Sequence, residues 1–263
     1  MDLPGGVPKL ISAVVAVNPN TVVITQSGSP INMLPWSDKA TTQVHTWYGG
    51  NETGNGIADV LFGDVNPSAK LPMSFPRRVE DNPTYLCFGS ERGNVIYGES
   101  IYVGYRYYEK VGKEVLFPFG CVAKGNFPVI TMLIAFSHGL SYTTFKFSDL
   151  QVSSTEVSLK VANIGKVTGA EVVQVYVAAD PKTSSIARPK KELKGFTKVL
   201  LEPGQSVEVS IPLDRFATTF WDQALNKWVN EKGEYTVMVG RSSADIVLEG
   251  SFMQEEATTW TGL

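Results

Sequence analysis

From residue 145 onward apolar and polar residues alternate in steps of two, the period of a strand with one dry face. Val157, Leu159 and Val161 alternate with Ser158 and Lys160, and the same beat returns at Val173, Val175 and Val177, at Val207, Val209 and Ile211, and at Tyr235, Val237 and Val239. Turn signals at Asn163–Gly165, Glu202–Gly204 and Glu231–Gly233 separate the runs. About seven short strands at such spacing close as two antiparallel sheets packed face to face. Residues 145–255 are therefore expected to form an all-β, immunoglobulin-like sandwich, with 256–263 as a tail.

The first part of the chain keeps a different rhythm. Leu10–Val17 reads as a helix, Asn18-Pro19-Asn20-Thr21 as a break, and Val22–Thr25 as a buried strand closed by Ser27–Pro30. Ser37–Trp47 reads as a further helix running into a short strand at Thr46–Tyr48. After Gly49-Gly50 comes a helix from Thr53 to Phe62, closed by Gly63. Strand and helix alternate, the signature of an α/β layer with a largely parallel sheet. Only about two such units fit before residue 75, and parallel strands need cover on both faces. Residues 1–75 thus read as part of an α/β sandwich. Residues 76–144 read as a linker, of which 76–120, including Tyr97–Tyr108, form a long surface connection packed by its own aromatics.

Composition narrows the function classes. A hydrophobic share of 43% supplies a core to each part, and a net charge of -3, with Lys and Arg scattered except at Arg188–Lys191, offers no basic face for nucleic acid. Cys87 and Cys121 make neither a disulfide framework nor a zinc site. There is no phosphate loop, nucleophile elbow or metal-ligand cluster, so no cofactor or metal is expected. The start, Met1–Gly6, has neither the basic residues nor the apolar run of a signal peptide, which leaves the compartment open, and no membrane partner is expected.

Glu52, Asp59, Asp64, Asp81, Glu99 and Glu109 are the carboxylates that a hydrolase would have to bring in pairs to about 5–10 Å. Solvated or cap-forming roles explain each as well. His45, among Gln43, Val44 and Trp47, reads as a core residue, and His138 has no nucleophile near it in sequence. Trp36, Trp47, Tyr48, Trp221 and Trp228 suit the apolar faces of sugar rings, but core packing is the commoner use of such residues.

Asn18–Pro30, Trp47–Ser68 and Lys70–Pro76 together resemble the second domain of family 3 glycoside hydrolases. Tyr97–Tyr108, and Phe117–Gly120 joined to His138–Phe145, resemble the connection into that family's fibronectin type III-like domain. The likeness is to fungal β-glucosidases and runs over nearly the whole chain. It implies a partial α/β sandwich followed by an all-β immunoglobulin/fibronectin type III-like sandwich, and an activity of cleaving terminal β-glucosyl residues with retention. The family's nucleophile is an Asp of a preceding barrel, and its acid/base is a Glu shortly before the segment matching Met1–Pro4. No catalytic residue is therefore carried onto this chain, substrate-binding residues stay unassigned, and a β-glucoside is a partner only in a full-length context. Met1 matches an internal methionine of the family pattern, as expected of a reading frame that starts in mid-protein. The alternatives are a non-catalytic module that binds carbohydrate or protein, and a pseudogene product. Ala69 stands where the family has Gly, Ser100 where an acidic residue or Gly is usual, and Leu34 lengthens the approach to Trp36 by one residue.

One stretch fits no element. Removing Cys121–Ser137 restores Phe-Pro-Phe-Gly-His-Gly-Leu-Ser-Tyr without a break, and these 17 residues correspond to 51 nucleotides, the length of a short intron carried into the reading frame. The competing readings are a membrane segment, for which the run is short and Lys124 and Pro128 unsuited, and a genuine insertion loop. The run Val129–Ala135 is apolar and β-prone, with the character of an aggregating segment. Deleting residues 121–137 is expected to raise soluble yield on expression. Equal yields from the two forms would count against a non-native insert.

Overall fold

The computed structural model describes residues 1–89, 92–121 and 141–262. Of the anomalous stretch, Val122–Ser137 lies outside the described residues, and so does His138. The chain divides into two compact units, Met1–Tyr142 with Ser242–Ala244, and Thr143–Arg241 with Asp245–Leu263.

The first unit opens with α1 (Val7–Val17), whose early proline costs nothing because the first turn owes no backbone hydrogen bond. Asn18 stops it: its Oδ1 accepts the Asn20 N–H at 2.9 Å and its carbonyl accepts the Thr21 hydroxyl at 2.6 Å. The chain then enters β1 (Val22–Thr25), which pairs in parallel with β2 (Thr42–His45), Val22 opposite Thr42 and Thr25 opposite His45. Next come α2 (Thr53–Phe62), ended by Gly63 at φ 86°, then β3 (Phe75–Pro76), α3 (Tyr105–Val111) and β4 (Val115–Phe117). β3 and β4 pair antiparallel. Val15, Val23, Ile31, Met33, Trp36, Leu71, Phe75 and Phe117 make one buried cluster.

Four expectations need correction. Ser37–Trp47 forms turns, then β2, and no helix, and the strand is Thr42–His45 where Thr46–Tyr48 was expected. The cause is Gln43, whose Nε2 donates to the carbonyls of Ser37 at 3.1 Å and Ala40 at 2.8 Å, the acceptors a continuing helix would have used itself. β1 is buried on one face only, with Val23 and Thr25 in and Val22 and Ile24 out. The connection after residue 76 contains the helix α3, bracketed by Gly104 at φ 56° and Gly112 at φ 65°. Some of its aromatics do pack, Tyr105 on Phe119 and Tyr107 on Tyr108, but Phe88 and Tyr97 are exposed. Ala69 is absent from the positive-φ positions, so its methyl carries no backbone strain there, whereas Ser100 at φ 52° occupies a conformation that glycine adopts freely.

The second unit is all β: β5 (Phe145–Val152), β6 (Glu156–Asn163), β7 (Gly169–Ala179), β8 (Glu192–Leu201), β9 (Ser206–Pro212), β10 (Phe220–Asp222), β11 (Lys227–Asn230), β12 (Gly233–Ser242), β13 (Asp245–Gln254) and β14 (Thr258–Trp260). The sandwich consists of the sheets β5-β6-β9 and β13-β12-β7-β8, and a small third sheet runs β10-β11-β14. Val157, Leu159 and Val161 from one sheet share a core with Val173, Val175, Val177, Val237 and Val239 from the other. Each such side chain contributes roughly 1.5–3 kcal/mol by leaving water. Arg188, from the basic cluster seen in the sequence, has a side chain only 8% exposed: its guanidinium donates to the carbonyls of Thr218 at 2.7 Å and Thr219 at 3.1 Å and pairs with Glu192.

Asn163, at the end of β6, is 1% exposed and is tied on every side. Its Nδ2 donates to Val167 and Leu201 carbonyls, both at 2.9 Å, and its Oδ1 accepts the Thr143 hydroxyl at 2.6 Å and the Gly165 N–H at 3.1 Å. Its backbone also bonds Gln205 and Gly204. Asn163→Ala leaves several buried groups without partners and is expected to destabilise the sandwich by about 2–4 kcal/mol, read as a lower urea midpoint with an unchanged slope.

Candidate functional site

Parallel strands deliver their carboxyl ends to one edge of the sheet, and ligands of α/β layers sit outside that edge. Here β1 ends in Ser27–Pro30 and β2 in Thr46–Glu52, the loop that leads into α2. Trp47 has φ 51°, a conformation that costs a bulky residue on the order of 1–3 kcal/mol and persists only where the surroundings enforce it. The enforcement is aromatic: its ring meets His45 edge-on at 4.6 Å and Phe75 at 6.0 Å. Tyr48 is then thrown outward, 80% exposed. Its ring lies on the loop after β1, where a Cβ on Gly28 would meet it and oblige the ring to shift. Glu52, at the foot of α2, is exposed and accepts a hydrogen bond from the Asn55 amide at 2.6 Å.

Beneath this loop His45 is fully buried, as the sequence suggested. Its Nδ1 lies 2.9 Å from the Thr25 hydroxyl, while Nε2 has no hydrogen-bond partner among the described residues. Burial lowers its pKa to about 4, against the opposing pull of the Ser27 backbone, so the ring is neutral near pH 7. Trp36 Nε1, Ser37 Oγ and Gln43 Oε1 are likewise buried without partners, which gathers four orphaned polar atoms around β2.

The six candidate carboxylates are spread over separate elements. Glu52, Asp59 and Asp64 are exposed along and beside α2, and Glu99 is half-buried in a turn before Tyr102. Glu109 lies on α3, and Asp81 pairs with Lys113 just beyond that helix. α3 and β4 border a cavity of about 340 Å³ lined by Ser74, Tyr105, Tyr108, Glu109, Lys113 and Glu114 among others, and Lys113 reaches from it to Asp81 at 3.0 Å. Asp81 also takes the Arg78 N–H at 3.1 Å and faces the Arg78 guanidinium at 3.6 Å. Burial alone would raise the Asp81 pKa, but the Lys113 hydrogen bond, the Arg78 backbone and the two cations carry it below the usual carboxylate value. A general acid needs the opposite shift. Tyr108, pushed up to about 12 by burial and by the charge of Asp81, keeps its proton and donates it to Asn82 at 3.3 Å. These groups work as a latch that holds residues 78–82 to α3 and β4.

Of the aromatic candidates, Trp36 is wholly buried, Trp47 half-buried and Tyr48 free, while Trp221 and Trp228 face each other on β10 and β11. Neither the strain at Trp47 nor the Asp81–Lys113 pair follows from any local sequence pattern. Among the described residues no three His, Cys, Asp or Glu gather as a metal site, and no helix is long and apolar enough to cross a membrane.

Comparison with known proteins places both units. Residues 1–105 match the Glycosyl hydrolase family 3 C-terminal domain and residues 171–243 the Fibronectin type III-like domain. The chain is 60% identical over 263 residues to "Probable beta-glucosidase K" of Emericella nidulans, covering 100% of this chain and 29% of that relative. It is 50% identical over 276 residues to "Probable beta-glucosidase I" of Aspergillus fumigatus, covering 100% and 30%. Among solved structures, the beta-glucosidase from Kluyveromyces marxianus in complex with glucose superposes with a TM-score of 0.89 at 48% identity, covering 100% of this chain and 30% of that one. The chain thus spans about 30% of the length of the relatives it matches.

The neutral His45 makes the first unit sensitive to acid. Its folded pKa of about 4 lies below the ordinary 6.5, so the folded state binds fewer protons, and stability is complete above 6.5 and lost as pH falls toward 4. Urea unfolding of the first unit is expected to show this loss, His45→Phe to flatten it, and the His45 ring resonances to hold their neutral shifts at pH 5.5.

Proposed function

Since the chain carries the C-terminal domain of glycosyl hydrolase family 3 and a fibronectin type III-like domain, we propose that it is the scaffold part of a β-glucosidase whose two catalytic carboxylates come from residues outside it. Retaining hydrolysis needs one carboxylate to attack the anomeric carbon and another to protonate the leaving oxygen. The observation that carries this reading is an uncovered apolar surface on the first unit. Val7, Leu10, Val14 and Val17 recur along one stripe of α1 at 37%, 63%, 44% and 87% exposure, and Val22 and Ile24 stand outward from β1 at 36% and 40%. A parallel pair of two strands with one open face and four orphaned polar atoms is an unfinished layer, and a further α/β segment closes it. In that assembly the Thr46–Glu52 loop, with Tyr48 at its tip, borders the sugar, and the substrate is a β-glucoside.

The chain alone is expected to leave p-nitrophenyl β-D-glucoside intact. Co-expression with the remaining part of the Emericella nidulans relative is expected to restore hydrolysis, and Leu10→Asp with Val14→Asp to abolish the restoration. Turnover by the chain alone, or restoration indifferent to the two charges, would overturn the proposal.

A further inference from the structure

The third sheet of the second unit carries a row of indoles, of which Trp221 is exposed and Trp228 and Trp260 are half-buried. Residues directly opposite each other in a sheet share a face, and Trp221 stands opposite Trp228, which stands opposite Trp260. Three indoles therefore make one row across β10, β11 and β14. Asn230, 9% exposed, shares this face with the indoles, and Phe220, 9% exposed, lies on the opposite one. The row is braced from within: Trp228 meets Trp221 edge-on at 5.5 Å and Phe216 at 5.1 Å, and Phe216 meets Trp260 at 6.0 Å. Trp221 nevertheless remains 40% exposed, which is large for an indole held so firmly. At the far end the Arg215 guanidinium lies 5.0 Å from the Phe216 ring and 5.3 Å from that of Trp260, bringing a fork of N–H donors to the same surface. The hairpin turn between β10 and β11 adds Gln223, Asn226 and Lys227, all exposed.

We propose that this Trp221–Trp228–Trp260 face, with Arg215, is a non-catalytic binding platform for a β-glucan chain. A β-linked glucosyl ring turns axial hydrogens to both faces and hydroxyls to its rim. It stacks on an indole while the rim seeks hydrogen-bond partners, and the face supplies both. Trp221 is the stacking ring, Trp228 and Phe216 fix it in place at little cost in side-chain entropy, and Arg215 and the turn residues meet the hydroxyls. Neighbouring strands lie about 4.8 Å apart, so the row suits an extended oligosaccharide better than one ring. The choice of a β-glucan as occupant rests on the proposed function, whereas the existence of the platform does not.

The test is affinity electrophoresis of the full chain through gels containing soluble mixed-linkage β-glucan, glycogen, or neither. Retardation by the β-glucan alone is expected, reduced at least tenfold in apparent affinity by Trp221→Ala and largely kept by Trp221→Tyr, with the thermal unfolding midpoint of both variants unchanged. No retardation, or equal retardation of Trp221→Ala, overturns the platform. Retardation by glycogen alone overturns the choice of glucan. A mass in solution that rises with concentration and drops in Trp221→Ala, without retardation, assigns the face to contact between copies of the chain. None of these readings needs hydrolysis, so a failure here is separable from a failure of the co-expression experiment.

Discussion

The second unit depends on two inner rows of side chains meeting without water between them. Val157, Leu159 and Val161 on β6 and Val173, Val175 and Val177 on β7 are each no more than 3% exposed, and every neighbouring strand is placed by the need to keep them so. Period-two alternation is a consequence: a slip of one residue in any strand would turn its whole apolar row outward. Register therefore needs pinning where the strands end, and Asn163 does this with one carboxamide that bonds three backbone groups, in the turn after β6 and at the end of β8. The sandwich supplies its own cover.

The first unit lacks that closure. Its best-buried residues, Trp36, Phe75 and Leu71, surround a parallel pair whose outer face and covering helix still show apolar surface. The strain at Trp47, the buried neutral His45 and the projecting Tyr48 all sit at the carboxyl edge of that pair. Burial, strain and exposure meet in one loop because the loop is tied down from below by aromatic packing while nothing among the described residues stands above it. Asp81, by contrast, spends its charge on Lys113 and Arg78 and belongs to the architecture.

How much of this was legible in the sequence follows from how local each cause is. The sandwich strands and the α2–Gly63 ending could be read directly, because alternation and a left-handed glycine act within a few residues. The turn at Ser37–Ala40 could not, since it depends on where the Gln43 side chain finds acceptors, and a Ser-to-Trp run with helical spacing gives no warning of that. α3 was hidden because Tyr105–Tyr108 favours no one state strongly, although the flanking Gly104 and Gly112 marked both ends. The Trp row was out of reach for another reason: Trp221 and Trp228 sit close in sequence, but Trp260 joins them only through the pairing of β14 with β11. The class of chemistry proposed came from resemblance to a family and not from any local pattern in this chain.

The bare stripe on α1 has a meaning on the timescale of descent. Val157 or Val175 is judged by neighbours encoded in the same stretch of chain, so a harmful change there is exposed to selection at once. In the proposed assembly Leu10, Val14 and Val17 answer to a surface encoded elsewhere, and they stay apolar only as long as that surface continues to meet them. If a lineage loses the covering segment, these positions are released first. Lysine or glutamate arriving at Val17, the most exposed of the three, would date the separation while the sandwich still looked untouched.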